Sequence, residues 1–120
     1  MSKSILVNCS QGKEDAERAT LAFIVANVAA SSDQKAIVLL TIEGVWIATK
    51  EYAKDIKKEG FPPLQEVLES FLANGGEIWT CGTCTKPRGI NEDDLIEGAK
   101  VVTAANLVEA LVDGTISYTV

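Results

Sequence analysis

Ala36-Ile37-Val38-Leu39-Leu40-Thr41-Ile42 is apolar at nearly every position. A strand with one wet face alternates apolar and polar residues. A run without alternation belongs to a strand covered on both faces, as in a parallel sheet. Glu43-Gly44 closes the run. Before it, residues 4–9 form a shorter apolar, partly β-branched strand, and Ser10-Gln11-Gly12 forms a turn. Residues 13–30 read as a helix with Glu14, Asp15 and Glu17 in its first turns, where negative charge suits the macrodipole. Ala19, Ala22, Phe23, Ala26 and Asn27 share one helical face, and its small residues imply close packing on a sheet.

After the run, residues 45–58 read as two short helical pieces, a helix pair or a lid. Glu59-Gly60-Phe61-Pro62-Pro63 is a break. Pro63 opens a helix whose buried stripe is Leu64, Val67, Leu68, Phe71 and Leu72, and Asn74-Gly75-Gly76 stops it. Residues 77–81 form a strand, and Asn91 caps a short helix over 92–97. Residues 99–103 form a fourth strand. A helix from Thr103 or Ala104 ends at Asp113-Gly114. Residues 115–120 alternate strictly, as in an edge strand or one lying against a neighbouring subunit. Strands and helices alternate throughout. The expected fold is a three-layer α/β/α sandwich, one domain over 1–120, with a mainly parallel five-stranded sheet in the order 2-1-3-4-5.

The composition narrows the function. The 120 residues are 47% hydrophobic and 23% charged, with a formal net charge of -6. A nucleic-acid binder needs a basic face, and adsorption to an anionic membrane needs the same. The longest apolar run, residues 21–30, is too short to span a bilayer. The start, Met1-Ser2-Lys3-Ser4-Ile5-Leu6-Val7-Asn8, lacks the apolar core and cleavage site of a signal peptide. A cytoplasmic protein is expected. There is no histidine. Ser-His-Asp triads, Cys-His thiol proteases and HExxH zinc sites are therefore excluded within one chain.

Chemistry concentrates in Trp79-Thr80-Cys81-Gly82-Thr83-Cys84-Thr85-Lys86-Pro87-Arg88-Gly89-Ile90. A strand delivers Cys81 to the rim of the sheet, and a loop with two cations follows. Thiol chemistry runs through the thiolate, which Lys86 and Arg88 would favour. Parallel sheets place their working site beyond the carboxyl ends of the strands, where the strand order reverses. In the order 2-1-3-4-5 that point lies between the first and third strands and brings Cys9 and Cys81 to one crevice. Four readings of Cys81-x-x-Cys84 stand side by side. It is a dithiol redox pair, half of a zinc site shared between subunits, a structural disulfide, or a nucleophile that carries sulfur as a persulfide. No cofactor motif is present, and one chain supplies too few ligands for a metal.

Cys81-Gly-Thr-Cys84-Thr-Lys-Pro-Arg88-Gly89-Ile90 resembles the Cys-x-x-Cys-Thr-x-x-Arg-Gly-Ile signature of YchN-like proteins in the DsrE/DsrF superfamily. The similarity extends in pattern over residues 13–30, 42–45, 63–64 and 98–111. The resemblance implies a three-layer α/β fold, trimers or hexamers, and a cysteine that relays sulfane sulfur between donor and acceptor proteins. By its spacing before Arg88-Gly89, Cys81 matches the sulfur-carrying cysteine, and a sulfurtransferase-like activity follows from it. Cys84 has no counterpart in many relay members. Either Cys84 or Cys9 resolves a persulfide on Cys81, or the pair does dithiol redox work. A non-catalytic oligomeric module is the remaining alternative.

Other features take plainer readings. Trp79 shares a strand face with Cys81 and reads as a core aromatic. Trp46 and Tyr52 read as interface residues or a flap. Glu92-Asp93-Asp94 is a dipole-matched first turn rather than a metal site.

Overall fold

The computed structural model describes residues 4–120. The opening three residues of the amino-terminal stretch discussed above lie outside them. The strands are β1 (Ser4–Cys9), β2 (Lys35–Leu40), β3 (Glu77–Cys81), β4 (Ala99–Val102) and β5 (Ile116–Thr119). The helices are α1 (Ala16–Ser31), α2 (Leu64–Ala73), the single turn α3 (Gly82–Thr85) and α4 (Ala104–Val112). Short 3-10 turns supply the remaining helical pieces, including Ile42–Ala48, Tyr52–Asp55 and Glu92–Asp94. The expected 13–30 helix divides into a 3-10 turn, Lys13–Asp15, and α1 proper. The Asp15 carboxylate accepts from the Arg18 N–H and caps α1.

All four strand pairings are parallel, and the sheet order is β4-β3-β2-β1-β5. This corrects the expected order 2-1-3-4-5. The physical reason lies in β2, where Ala36 to Leu40 are buried on both faces. An edge position would leave such a strand half uncovered, so β2 takes the centre. All four residues of β5 are exposed, and β5 takes an edge beside β1.

The order also fixes the layers. The chain steps from β1 through β4 in one direction, so right-handed crossovers put those connections on one face. There Phe23 of α1 and Phe71 of α2 meet edge to face over Val7, Val38 and Ile78. Asn27 on α1 bonds to Ser70 and Asn74 at the end of α2, which fixes the two helices side by side. The return from β4 to β5 runs the other way and must cross the opposite face. That face is covered by α4, whose Leu107 and Ala110 pack on Leu6, Ile37, Leu39, Trp79 and Val102.

Strand β2 stops two residues before the apolar run does. Thr41 still pairs with Cys9, but Ile42 turns to φ 53°, a costly conformation for a β-branched residue. The Gly44 N–H bonds back to the Thr41 carbonyl. A Cβ on Gly44 would lie 2.4 Å from the Cys9 carbonyl oxygen, so only glycine fits this approach. The turn lifts Glu43 over the carboxyl ends of the strands.

Candidate functional site around Cys81

Two adjacent strands whose onward connections leave on opposite faces open a crevice at their carboxyl ends. In this sheet those strands are β3 and β4. The segment after β3 packs Ile90 and Leu95 into the α1–α2 side, whereas β4 leads to α4 on the other. Cys81 ends β3 in register with Val102, which ends β4. Cys81 therefore stands at the carboxyl rim beside this switch in connection.

Strand alternation puts Cys81 on the Trp79 face of the sheet. The chain turns immediately into α3, with Cys81 at the N-cap position. A Cβ on Gly82 would sit tightly, 3.2 Å from the Val101 side chain and 3.3 Å from the Val102 carbonyl. Cys84 sits one turn on, half-buried and packed toward the α1–α2 core. Gly89 at φ 69° ends the following 3-10 turn, Lys86–Arg88. Cys81 and Cys84 are both free thiols and both partly accessible.

Arg88 anchors this loop. Its Nε and Nη2 donate to Glu43 Oε1 at 3.1 and 2.9 Å, and its Nη1 donates to the Cys84 carbonyl at 3.1 Å. The guanidinium thus ties the carboxyl end of α3 to the turn after β2, while Lys86 stands exposed. Glu43 joins the site residues; in the sequence it stands as the end of the apolar run and within the 42–45 stretch of family similarity, with no role assigned to it. The usable signal was its place: an acid beside glycine, at the carboxyl end of a strand neighbouring the cysteine strand.

Cys9 is not part of the crevice, which corrects the expectation that it joins Cys81. It lies on β1, with β2 between it and β3, about two strand spacings or roughly 10 Å away. It also faces the opposite side of the sheet, with Val7, in the α1–α2 core. It is fully buried, and its thiol donates to the Gln11 carbonyl at 3.3 Å. Burial pushes its pKa to about 11, with smaller upward contributions from Glu14 and Asp15. A buried neutral thiol on the far face cannot resolve a persulfide on Cys81.

Trp46 and Tyr52 stack on one another with ring centres 6.3 Å apart. The Tyr52 hydroxyl accepts from the Lys13 N–H and would meet a Cβ on Gly12 at 2.5 Å. The pair locks the turns after β1 and β2 together within the chain.

The pattern of the DsrE/DsrF-like family matches residues 3–116. The chain belongs to this family. Among curated relatives, the uncharacterized protein MK0008 of Methanopyrus kandleri is 33% identical over 104 residues, 87% of this chain and 83% of its own length. The uncharacterized protein MJ0989 of Methanocaldococcus jannaschii is 34% identical over 104 residues, 87% of this chain and 85% of its own. MJ0760 of the same organism is 31% identical over 100 residues, and there this DsrE/DsrF-like chain spans only 36% of the relative's length. Among solved structures, the YchN protein from E. coli matches over 100% of both chains with a TM-score of 0.77 at 21% identity. MTH1491 from Methanobacterium thermoautotrophicum, a protein of unknown function, matches over 99% of this chain and 100% of its own, with a TM-score of 0.73 at 19% identity. These likenesses establish the shared α/β fold.

Proposed function

We propose that this DsrE/DsrF-like protein is a sulfur carrier in the cytoplasm, with Cys81 as the sulfur-bearing thiol. One observation carries the reading: of the three cysteines, Cys81 alone both ends a strand, beside the end of β4, and keeps partial access to solvent. The Cys81 thiolate attacks the outer sulfur of a persulfide donor, R–S–SH. A new S–S bond forms on Cys81 Sγ, the donor's S–S bond breaks, and its electron pair leaves on R–S⁻. Sulfane sulfur moves without net oxidation, and an acceptor thiolate removes it by the same exchange. Lys86 is the mobile cation for the anionic sulfur. Arg88 is the positioning residue that fixes the loop. The donor and acceptor are partner proteins or small molecules, and no nucleic acid or membrane is engaged. Val108 and Val112 are exposed on α4, and Ile116 and Tyr118 are exposed on the edge strand β5; a homo-oligomer, trimer or hexamer, would cover such apolar groups. No helix among the described residues is long and apolar enough to cross a membrane.

Mass spectrometry after exposure to a persulfide donor tests the assignment. One added sulfur on Cys81 is expected, and it should vanish in Cys81→Ser. Loading that persists in that variant would sink the proposal.

A dithiol oxidoreductase is the second reading. It is favoured by the position of Cys81 at the N-cap of α3 with Cys84 in the third residue of the same turn. It requires a reversible Cys81–Cys84 disulfide and dithiol turnover, both lost in Cys84→Ser.

A further inference from the structure

The Trp79 face of the sheet is covered by α4 alone, and one helix does not close it. A cleft of about 590 Å3 remains between helix and strands, within the roughly 300–1,000 Å3 typical of small-molecule sites. It runs obliquely across the face. One end lies at Ser4 and Lys35, where β1 and β2 begin; the other reaches Val102, the register partner of Cys81. Trp79, two residues before Cys81 on the same face, forms part of the wall.

The charges around the cleft differ between its walls. On the sheet side Lys35 is paired with Glu77, whose carboxylate also accepts from Trp79 Nε1 at 3.4 Å, which leaves Lys100 as the ammonium that faces the cleft. Lys100 Nζ lies 5.5 Å from the centre of the Trp79 ring. The α4 side contributes the Glu109 and Asp113 carboxylates. A simple anion would meet the helix carboxylates, and a simple cation would meet Lys100. A molecule with both signs meets each wall with its complement.

The geometry points to this cleft as a binding site for a small zwitterionic thiol compound, an amino-acid persulfide, that presents its sulfur to Cys81. The inference rests on the carrier reading for the role of Cys81, but the binding site itself does not. The carboxylate of the ligand pairs with Lys100, its ammonium group pairs with Glu109 or Asp113, and its chain lies along Trp79. Sulfur transfer then follows the exchange already written, with the amino-acid thiolate as leaving group.

Two measurements test it on the full chain. In the first, S-methyl-L-cysteine, which binds but transfers no sulfur, is titrated while the two indole N–H resonances are followed by NMR. They are assigned through Trp46→Phe. The Trp79 signal should shift. Lys100→Glu and Glu109→Lys, both at exposed positions, should each weaken binding about tenfold, whereas Cys81→Ser should leave it unchanged. A Trp79 signal that never moves, or one indifferent to both charge reversals, overturns the site. In the second, Cys81 is loaded from cysteine persulfide or from inorganic polysulfide, which has no use for the cleft. Lys100→Glu should slow loading from the amino-acid donor about tenfold and leave loading from polysulfide unchanged. Equal rates with the amino-acid donor in variant and wild type, or equal slowing with both donors, overturn the cleft while the carrier reading stands. Failure of the wild type to load from either donor sinks the carrier reading, and the NMR titration then decides the cleft by itself.

Discussion

Cys9 makes the chain sensitive to alkali, and the size of the effect follows from its burial. The thiol has no solvent exposure, and its pKa is raised from an ordinary 9.0 to about 11, chiefly by desolvation. Below pH 9 folded and unfolded chains both hold the proton, and the thiol favours neither. Between pH 9 and 11 the unfolded chain releases it while the folded chain keeps it. The unfolded state then binds fewer protons, and stability falls as pH rises. Two pH units of separation correspond to about 2–3 kcal/mol, roughly half of it lost by pH 10. That is a large share of the 5–15 kcal/mol typical of a domain. The assay is urea denaturation under reducing conditions from pH 8 to pH 11.5, on wild type and Cys9→Ala. Every other titratable group is common to the two proteins, so the difference between the curves isolates Cys9. The variant begins less stable, because the deletion leaves a small void, and the gap should close by about 2–3 kcal/mol across the window. A gap constant to within about 0.5 kcal/mol would refute the placement of Cys9 in a dry core.

Other perturbations have equally definite outcomes. Glu43→Gln should cost about 1–2 kcal/mol, seen as a fall in Tm of roughly 4–8 °C, because it weakens a forked, partly buried pair with Arg88. Arg88→Ala should cost more, since it also frees the Cys84 carbonyl; equal Tm values for both variants and wild type would remove Arg88 as the anchor of the loop. Gly76→Ala puts a Cβ 2.3 Å from the fully buried Phe71 ring and should cost about 1–3 kcal/mol or more, measured by thermal denaturation. Gly75→Ala next to it meets open space at φ 89° and should cost only about 1 kcal/mol for the backbone. Val112→Lys changes a side chain that is 80% exposed, so the monomer should keep its Tm, while light scattering should report a smaller assembly if α4 faces a second copy.

The elements were legible because each carries its own local signal. The unbroken apolar run over 36–42 announced a doubly covered strand, Pro63 opened α2, and Asn74-Gly75-Gly76 closed it. Strand order was less legible, because 2-1-3-4-5 and 4-3-2-1-5 obey the same handedness rule. The deciding signal was present all the same: a strand apolar on both faces, as β2 is, does not belong at an edge. The order then controlled everything said about Cys9. Its position at the end of β1 was readable from residues 4–9, but its face and its distance from Cys81 follow only from which strand lies between them. The Arg88–Glu43 contact joins residues 45 apart in sequence across a turn that an isoleucine enters at positive φ, and no local pattern encodes that.

The three cysteines differ by position as well as by neighbouring sequence. Cys9 and Cys81 both end apolar strands, and the signature around Cys81 does not encode how far Cys9 stands from it. The sheet separates them. One faces the side with two helices and loses contact with water; the other faces the side with a single helix, next to the cleft which that helix leaves open. A thiol must reach both solvent and a partner sulfur to exchange sulfane sulfur, and desolvation at Cys9 works against the anionic form that such exchange uses. The unequal helical cover of the two faces is therefore what makes Cys81 the candidate carrier and leaves Cys9 to packing. It follows from one topological fact, that the chain returns from β4 across the whole sheet to pair β5 with β1.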